Sequence, residues 1–300
     1  MGLGEWLCGR PILLKSNVRF ILLLKCGNTA KLINMKTVDL NADIGEAEDE
    51  SGIASELAIL RYVSSANIAC GGHRGDVISM RRTVREALKN NVAIGAHPAY
   101  SDRANFGRKS MMLGQDIEES ELRKSLTLQI KSLIEITASE GAKVTYVKPH
   151  GALYNDSVHS RSHADLIASV IHSNDPSLAF MGAPNSQMGA AAKQLGIRFI
   201  SEGFIDRRYT DDGHLQSRSI DGAVIKDNKT RMAQLKALVT TGEIETASGN
   251  SLTLKCESLC LHGDSAGTVE TAKLARQIIE AAGVKIRSVT CAANYNTSKP

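Results

Sequence analysis

From residue 36 onward the chain alternates short apolar runs with longer stretches of helical period. The runs predict strands at Thr37–Ala42, Ser65–Cys70, Val92–Ala96, Lys143–Val147, Leu178–Met181, Ile197–Ser201 and Ser258–Leu261, with a short one at Val284–Ser288. Helices are predicted over Val77–Asn90, Ile117–Glu140, His163–Ser173, Lys229–Thr241 and Val269–Ala282. In the last, Val269, Ala272, Leu274, Ala275, Ile278 and Ile279 trace one apolar stripe. Strand and helix in alternation, with no Pro/Ser-rich linker, imply one α/β domain of parallel strands joined by helical crossovers. We place that domain at 36–290, between an extension at 1–35 and a tail at 291–300.

Polar residues fall where the strands end. Asp43 follows the first strand, His73 the second, His97 the third, Lys148 and His150 the fourth, Glu202 and Asp206 the sixth, His262 and Asp264 the seventh. In a barrel these ends converge on one face, where the loops build a site. An open doubly wound sheet is the alternative, and it gathers ligands at a single switch point instead.

Composition changes this picture little. The chain is 42% apolar and 23% charged, ordinary for a globular enzyme. Its net charge of +4 is concentrated in residues 1–36, which hold six Lys/Arg against Glu5, so the body is close to neutral and points to no nucleic-acid partner. The basic segment reads as a dispensable extension, with mitochondrial import as the lesser alternative and the cytoplasm as the expected location. Its longest aliphatic run, Ile21 to Leu24, is far short of the roughly 20 residues of a membrane span. Six cysteines without CxxC or a dense framework fit a reducing compartment. The sequence lacks GxxxxGK[ST], HExxH and GxGxxG, which removes the usual support for a P-loop NTPase, a zincin or a dinucleotide enzyme.

Six stretches carry candidate chemistry. "DLNADIGE" (39–46) sets Asp39, Asp43 and Glu46 around a glycine, either a carboxylate pair or a turn leading into a helix. "SANIACGGHRGD" (65–76) exposes His73 on a glycine loop, while Cys70 reads as core and Asp76 as an N-cap. "GAHPAYSDRANFGR" (95–108) gives His97 and, in Arg108, a fork suited to a small acid. "VKPHGALYN" (147–155) brings Lys148 and His150 from one strand end. "SEGFIDRRYTDDG" (201–213) offers Glu202, Asp206 and Arg207, with Arg218 beyond it. "CLHGDSAG" (260–267) adds His262 and Asp264, the latter equally suited to capping the next helix.

Together and in this order the six stretches resemble the LamB/YcsF lactam-utilisation family, which supplies one component of ATP-dependent 5-oxoprolinases, from about Val38 to Ser288. The resemblance implies an irregular seven-stranded parallel β/α barrel of the glycoside hydrolase/deacetylase type. It implies cleavage of 5-oxo-L-proline to L-glutamate, with ATP used through separate B and C subunits. On that reading Asp43 or His150 is the general base, and His73, His97 and His262 orient the reacting group or bind a divalent metal. Asp43, His73 and His97 are the candidate metal ligands, although the histidines have no short ligand spacing. Arg108, Arg207 and Lys148 would hold the substrate carboxylate or a departing phosphate, with Asn41, Asn155, Glu202, Asp206, Arg218 and Asp264 completing the substrate contacts. Arg74 and Lys109 depart from the family pattern, where a small residue and a second arginine are usual. A stand-alone metal-dependent deacetylase or amidohydrolase, and a non-catalytic subunit that delivers a small acid, are the alternatives.

Overall fold

Successive residues of a strand point to opposite sides of the sheet, and in the barrel strands of this chain both sides are buried. Residues 35–262 and 267–290 are described in a computed structural model; the extension up to residue 34, the tail and Asp264 lie outside them. The first half runs β1 (Thr37–Ile44), α1 (Glu50–Ile59), β2 (Ser65–Ala69), α2 (Val77–Lys89), β3 (Ala93–His97), α3 (Glu119–Ser139), β4 (Val144–Val147), α4 (Gly151–His159) and α5 (Arg161–Asn174). The second runs β5 (Ala179–Gly182), α6 (Gln187–Gln194), β6 (Phe199–Phe204), α7 (Asn228–Thr240), β7 (Glu243–Glu245), β8 (Ser251–Thr253), β9 (Ser258–Leu261), α8 (Thr268–Ala281) and β10 (Lys285–Ile286).

Strands β1 to β6 pair in chain order, and β9 closes the ring by pairing with both β6 and β1. The result is the closed seven-stranded parallel barrel that the family resemblance implies, and not an open doubly wound sheet. β10 adds to the start of β1, and β7 with β8 forms a separate antiparallel hairpin.

The alternation along β1 shows how the barrel is held. Val38, Leu40, Ala42 and Ile44 join the main apolar core. Asp39, Asn41 and Asp43, equally buried, point into the barrel and bond across it. Lowest, the Asp39 carboxylate accepts from the hydroxyls of Ser64, Ser65 and Ser258. One layer up, Asn41 donates to Ser258 and Glu202, Asn67 donates to Asn41 and Asp43, and Tyr146 donates to Asn67 at 2.6 Å. A buried polar network is stable only when nearly every donor and acceptor has a partner, and most of this one does.

Three helices and the hairpin are absent from the pattern-based expectation. α1 carries Gly52, four serines or alanines and an inward Glu56 where an apolar stripe would be sought. α4 starts directly after Pro149 and His150 on a glycine with φ of 57°, and α6 is only eight residues. Asp76 is the N-cap of α2, accepting from Ser79 N at 2.8 Å, as its position suggests.

Tyr146 reaches Asn67 by lying over Gly95 of the neighbouring strand, where an added Cβ would stand 2.2 Å from the ring. Gly95→Ala should therefore lower unfolding free energy by about 1–3 kcal/mol, read as an earlier urea midpoint; an unchanged midpoint would mean that the ring moves aside freely.

Candidate active site

A cavity of about 470 Å³ opens at the C-terminal ends of the strands, with Asp43, Glu46, His97, Lys148 and His150 on one side. Arg108, Asn155, Arg207, Arg218 and His262 also line it.

Its floor is an ammonium. Lys148 Nζ, 2% exposed, lies 2.9 Å from both Asp43 Oδ1 and Glu202 Oε1, 3.1 Å from Cys260 Sγ and 3.4 Å from Asn41 Oδ1. Burial alone would depress its pKa, but Asp43, Cys260 and Glu202 outweigh it and hold the ammonium charged well above the ordinary range. Asp43 mirrors this: burial opposes ionisation, and His97, Lys148 and His262 together keep the carboxyl well below the usual carboxylate range.

Above the floor sits a cluster of imidazoles around one carboxylate. Glu46 Oε1 is 2.7 Å from His73 Nε2, 3.2 Å from His150 Nδ1 and 3.8 Å from His97 Nε2. His73 is stacked on His150, centroids 3.5 Å apart. Burial, only partly countered by Glu46, pushes His73 down to about 4 and lowers His150 as well. These rings are neutral at neutral pH, the form that binds metals. Burial also resists ionisation of Glu46, yet the imidazoles of His150 and His73 against it hold its carboxyl well below the usual range.

The tautomers follow from what each ring touches. His97 Nδ1 is 2.7 Å from the Lys148 carbonyl and His150 Nε2 is 3.0 Å from the Phe106 carbonyl. A carbonyl only accepts, so both nitrogens carry the proton. That leaves lone pairs on His97 Nε2 and His150 Nδ1, which face each other at 3.0 Å, with Asp43 Oδ2 3.3 Å from His97 Nε2. Converging acceptors without a donor need a cation among them. Glu46, His73, His97 and His150 offer ligand atoms all within 4.8 Å of one another, a set compatible with a divalent metal. Backbone carbonyls on the far ring nitrogens are the usual supports of metal-binding imidazoles.

His262 stands across the cavity. Its Nδ1 is 2.8 Å from Asp206 Oδ2, and its Nε2 is 3.3 Å from Arg218 Nη2 and 3.9 Å from Asp43 Oδ2. Burial depresses its pKa, but Asp206 and Asp43 prevail and raise it. Arg207, 4% exposed, donates to the Gln216 carbonyl while its buried Nε has no partner. No carboxylate among the described residues lies within ion-pair distance of it. Burial, then Arg218, pushes its pKa down to about 10. A buried guanidinium without a counterion marks a place for an anion.

Most of the residues singled out in sequence thus meet at one cavity. His73 lies just behind it, against His150. Asn41 and Glu202, expected to touch substrate, are instead sealed one layer below the cavity, where they hold Lys148 and Ser258. Asp206 acts on the cavity through His262. From "DLNADIGE" the sequence favours only Asp43 as a ligand, yet Glu46 is the carboxylate at the centre of the imidazoles, and Asp43 contacts only His97 among them. Glu56 gives no signal in sequence. Its carboxylate accepts from the N–H groups of Gly45, Glu46 and Ala47, fixing the loop that carries Glu46, and burial is the main reason its pKa rises to about 7.

A parallel barrel that collects imidazoles, carboxylates and guanidinium groups at its C-terminal strand ends places the chain among the β/α-barrel proteins. The chain is a member of the LamB/YcsF family, which it matches over residues 38–294. The A-type subunit of 5-oxoprolinase from Shouchella clausii is 38% identical over 257 residues, covering 86% of this chain and 100% of that protein. Its counterpart from Neisseria meningitidis serogroup A is 39% identical over 252 residues, covering 84% and 99%. The solved lactam utilization protein from Thermus thermophilus superposes with a TM-score of 0.75 at 34% identity, covering 84% of this chain and 99% of that one. No described helix is long and apolar enough to cross a membrane.

Replacing Lys148 with methionine leaves Asp43 and Glu202 buried without their shared cation. The variant should lose about 3–5 kcal/mol of stability in urea denaturation. Equal stability would show that the ammonium is not what neutralises the interior.

Proposed function

We propose that this chain is the ring-opening component of an ATP-dependent 5-oxoprolinase, hydrolysing 5-oxo-L-proline to L-glutamate beside B- and C-type subunits. A five-membered lactam is an unstrained amide, so its oxygen must be activated before water can open the ring. The partner subunits would use ATP for that step, in keeping with the missing P-loop here. The observation that carries the reading is the polarity of the cavity: a cluster of acceptors built for a cation faces a guanidinium wall built for an anion. An acidic lactam needs both. The names of the relatives support the choice of 5-oxoproline.

Arg207 and Arg218, with Arg108, would take the substrate carboxylate or the phosphate introduced during activation. Asp43 has Oδ1 held by Lys148 and Asn67, which leaves Oδ2 to receive a proton from the attacking water. His150 Nε2 is committed to the Phe106 carbonyl, so Asp43 is the better of the two candidate bases. A divalent metal bound by Glu46, His73, His97 and His150 would supply Lewis acidity, lowering the pKa of a water from about 15.7 to about 7. His262, protonated with the help of Asp206, gives its Nε2 proton to the ring nitrogen as the C–N bond breaks. Water thus adds to the activated carbonyl carbon, the nitrogen leaves as the amine of glutamate, and a second water releases the phosphate from the resulting acyl phosphate to leave the carboxylate. Cys70, Cys256 and Cys260 are buried free thiols, and burial pushes the first two up to about 12, as suits a reducing cytoplasm.

Mixed with B- and C-type subunits, 5-oxoproline and ATP, the chain should yield glutamate, and Asp43→Ala should lower the rate by about 10²–10⁴. ATP-independent release of acetate from an N-acetyl substrate by this chain alone, without glutamate formation in the mixture, would establish a stand-alone deacetylase instead. Full ring opening by both Asp43→Ala and His150→Ala would leave only a delivery role.

The pH profile tests His262. Asp206 raises the pKa of the imidazolium, so the acid form persists to higher pH and the rate falls as pH climbs through that value. Asp206→Asn should move the fall to lower pH; a profile that stays in place would remove His262 as the acid.

A further inference from the structure

Phe106 has a backbone φ of 55°, in the left-handed region that bulky residues avoid. Such strain costs of order 1–3 kcal/mol and persists only where surrounding contacts impose it. Here they are specific. The Phe106 ring stands edge-on to His73 and His150, with centroids at 5.2 and 5.3 Å. The guanidinium carbons of Arg74 and Arg108 lie 5.0 and 4.8 Å from its centre. Next to it, an added Cβ on Gly107 would stand 3.0 Å from His73 Cβ and 3.2 Å from His150 Cδ2, so the loop lies directly on both imidazoles.

Arg74, one of the two residues read in sequence as departures from the family pattern, ties this loop down. Its Nη1 donates to the carbonyls of His73 and Arg103, and its Nε is 3.3 Å from Glu48. One side chain therefore links the loops after β1, β2 and β3, with its planar head against the Phe106 ring. The Phe106 carbonyl that this arrangement aims is the acceptor for His150 Nε2.

We infer that Arg74 and Phe106 are positioning residues that fix His150 as its Nε2–H tautomer and so aim its Nδ1 lone pair into the imidazole cluster. Without the brace the strained peptide relaxes and its carbonyl turns away. His150 then loses the partner that selects one tautomer. The consequence for metal binding rests on the reading of the cluster as a cation site; the tautomer does not.

The test uses the full chain, metal-free and labelled with ¹⁵N-histidine, in long-range ¹H–¹⁵N NMR, with His150→Gln to assign the signals. Wild type should show a single Nε2–H tautomer for His150, and Arg74→Ala a mixture. Titration with Co²⁺ alone should show affinity falling about 10–100-fold in Arg74→Ala. Phe106→Leu, which keeps the carbonyl but loses the ring, should fall in the same direction and serves if Arg74→Ala does not fold. Arg74→Lys, unable to reach both carbonyls, should not restore either readout. A wild-type His150 protonated on Nδ1, or variants with the wild-type tautomer and affinity, would overturn the inference. Failure of wild type to bind Co²⁺ would defeat the metal reading, and the tautomer spectra would still decide the role of the brace.

Discussion

Two imidazole nitrogens left as acceptors by the bonds on their far sides, His97 Nε2 and His150 Nδ1, face each other across 3.0 Å on buried rings that line the cavity. That contact is repulsive unless a cation lies within it, and much of the molecule is arranged to maintain it. The Lys148 carbonyl holds one ring and the Phe106 carbonyl the other. Glu46 adds a negative oxygen beside both, on a loop clamped through its N–H groups by Glu56. Beneath them the charged ammonium of Lys148 secures Asp43, so the acidic side of the site does not collapse into the barrel.

The barrel interior explains how such a site can be rigid. Barrels of this kind are commonly filled with branched apolar side chains; here Asp39, Asn41, Asn67, Tyr146 and Glu202 form bonded polar layers instead. Each layer orients the one above, from the serines around Asp39 to the carboxylate and ammonium at the cavity floor. Opposite this side, Arg207 is buried with no acid partner among the described residues, and the cavity is left with one wall suited to a cation and one to an anion. A substrate that is both amide and acid matches that division.

Much of this is legible because a parallel barrel turns chain position into place: whatever follows a strand arrives at the same face. Asp43, His97, Lys148, His150 and His262 can be gathered on that rule alone. The depth of a residue cannot. Asn41 and Glu202 look like their neighbours in sequence, but strand register sets them one layer too low to meet a ligand. Glu46 is visible in its motif but does not stand out there, since its importance comes from three histidines 27, 51 and 104 positions away. Glu56 and Arg74 act through backbone groups of other loops, contacts that leave no trace in residue type. The helices that the pattern misses are α1, which has no apolar stripe, and α4 and α6, which are only nine and eight residues long.

The most direct measurement is anomalous diffraction from crystals of this chain grown with Co²⁺. The account predicts one strong peak bounded by Glu46, His73, His97 and His150, with the Arg207 side of the cavity free of metal. A peak elsewhere in the cavity, or none at saturating Co²⁺ with the two imidazoles still in contact, would mean that a proton holds them together and would contradict the account.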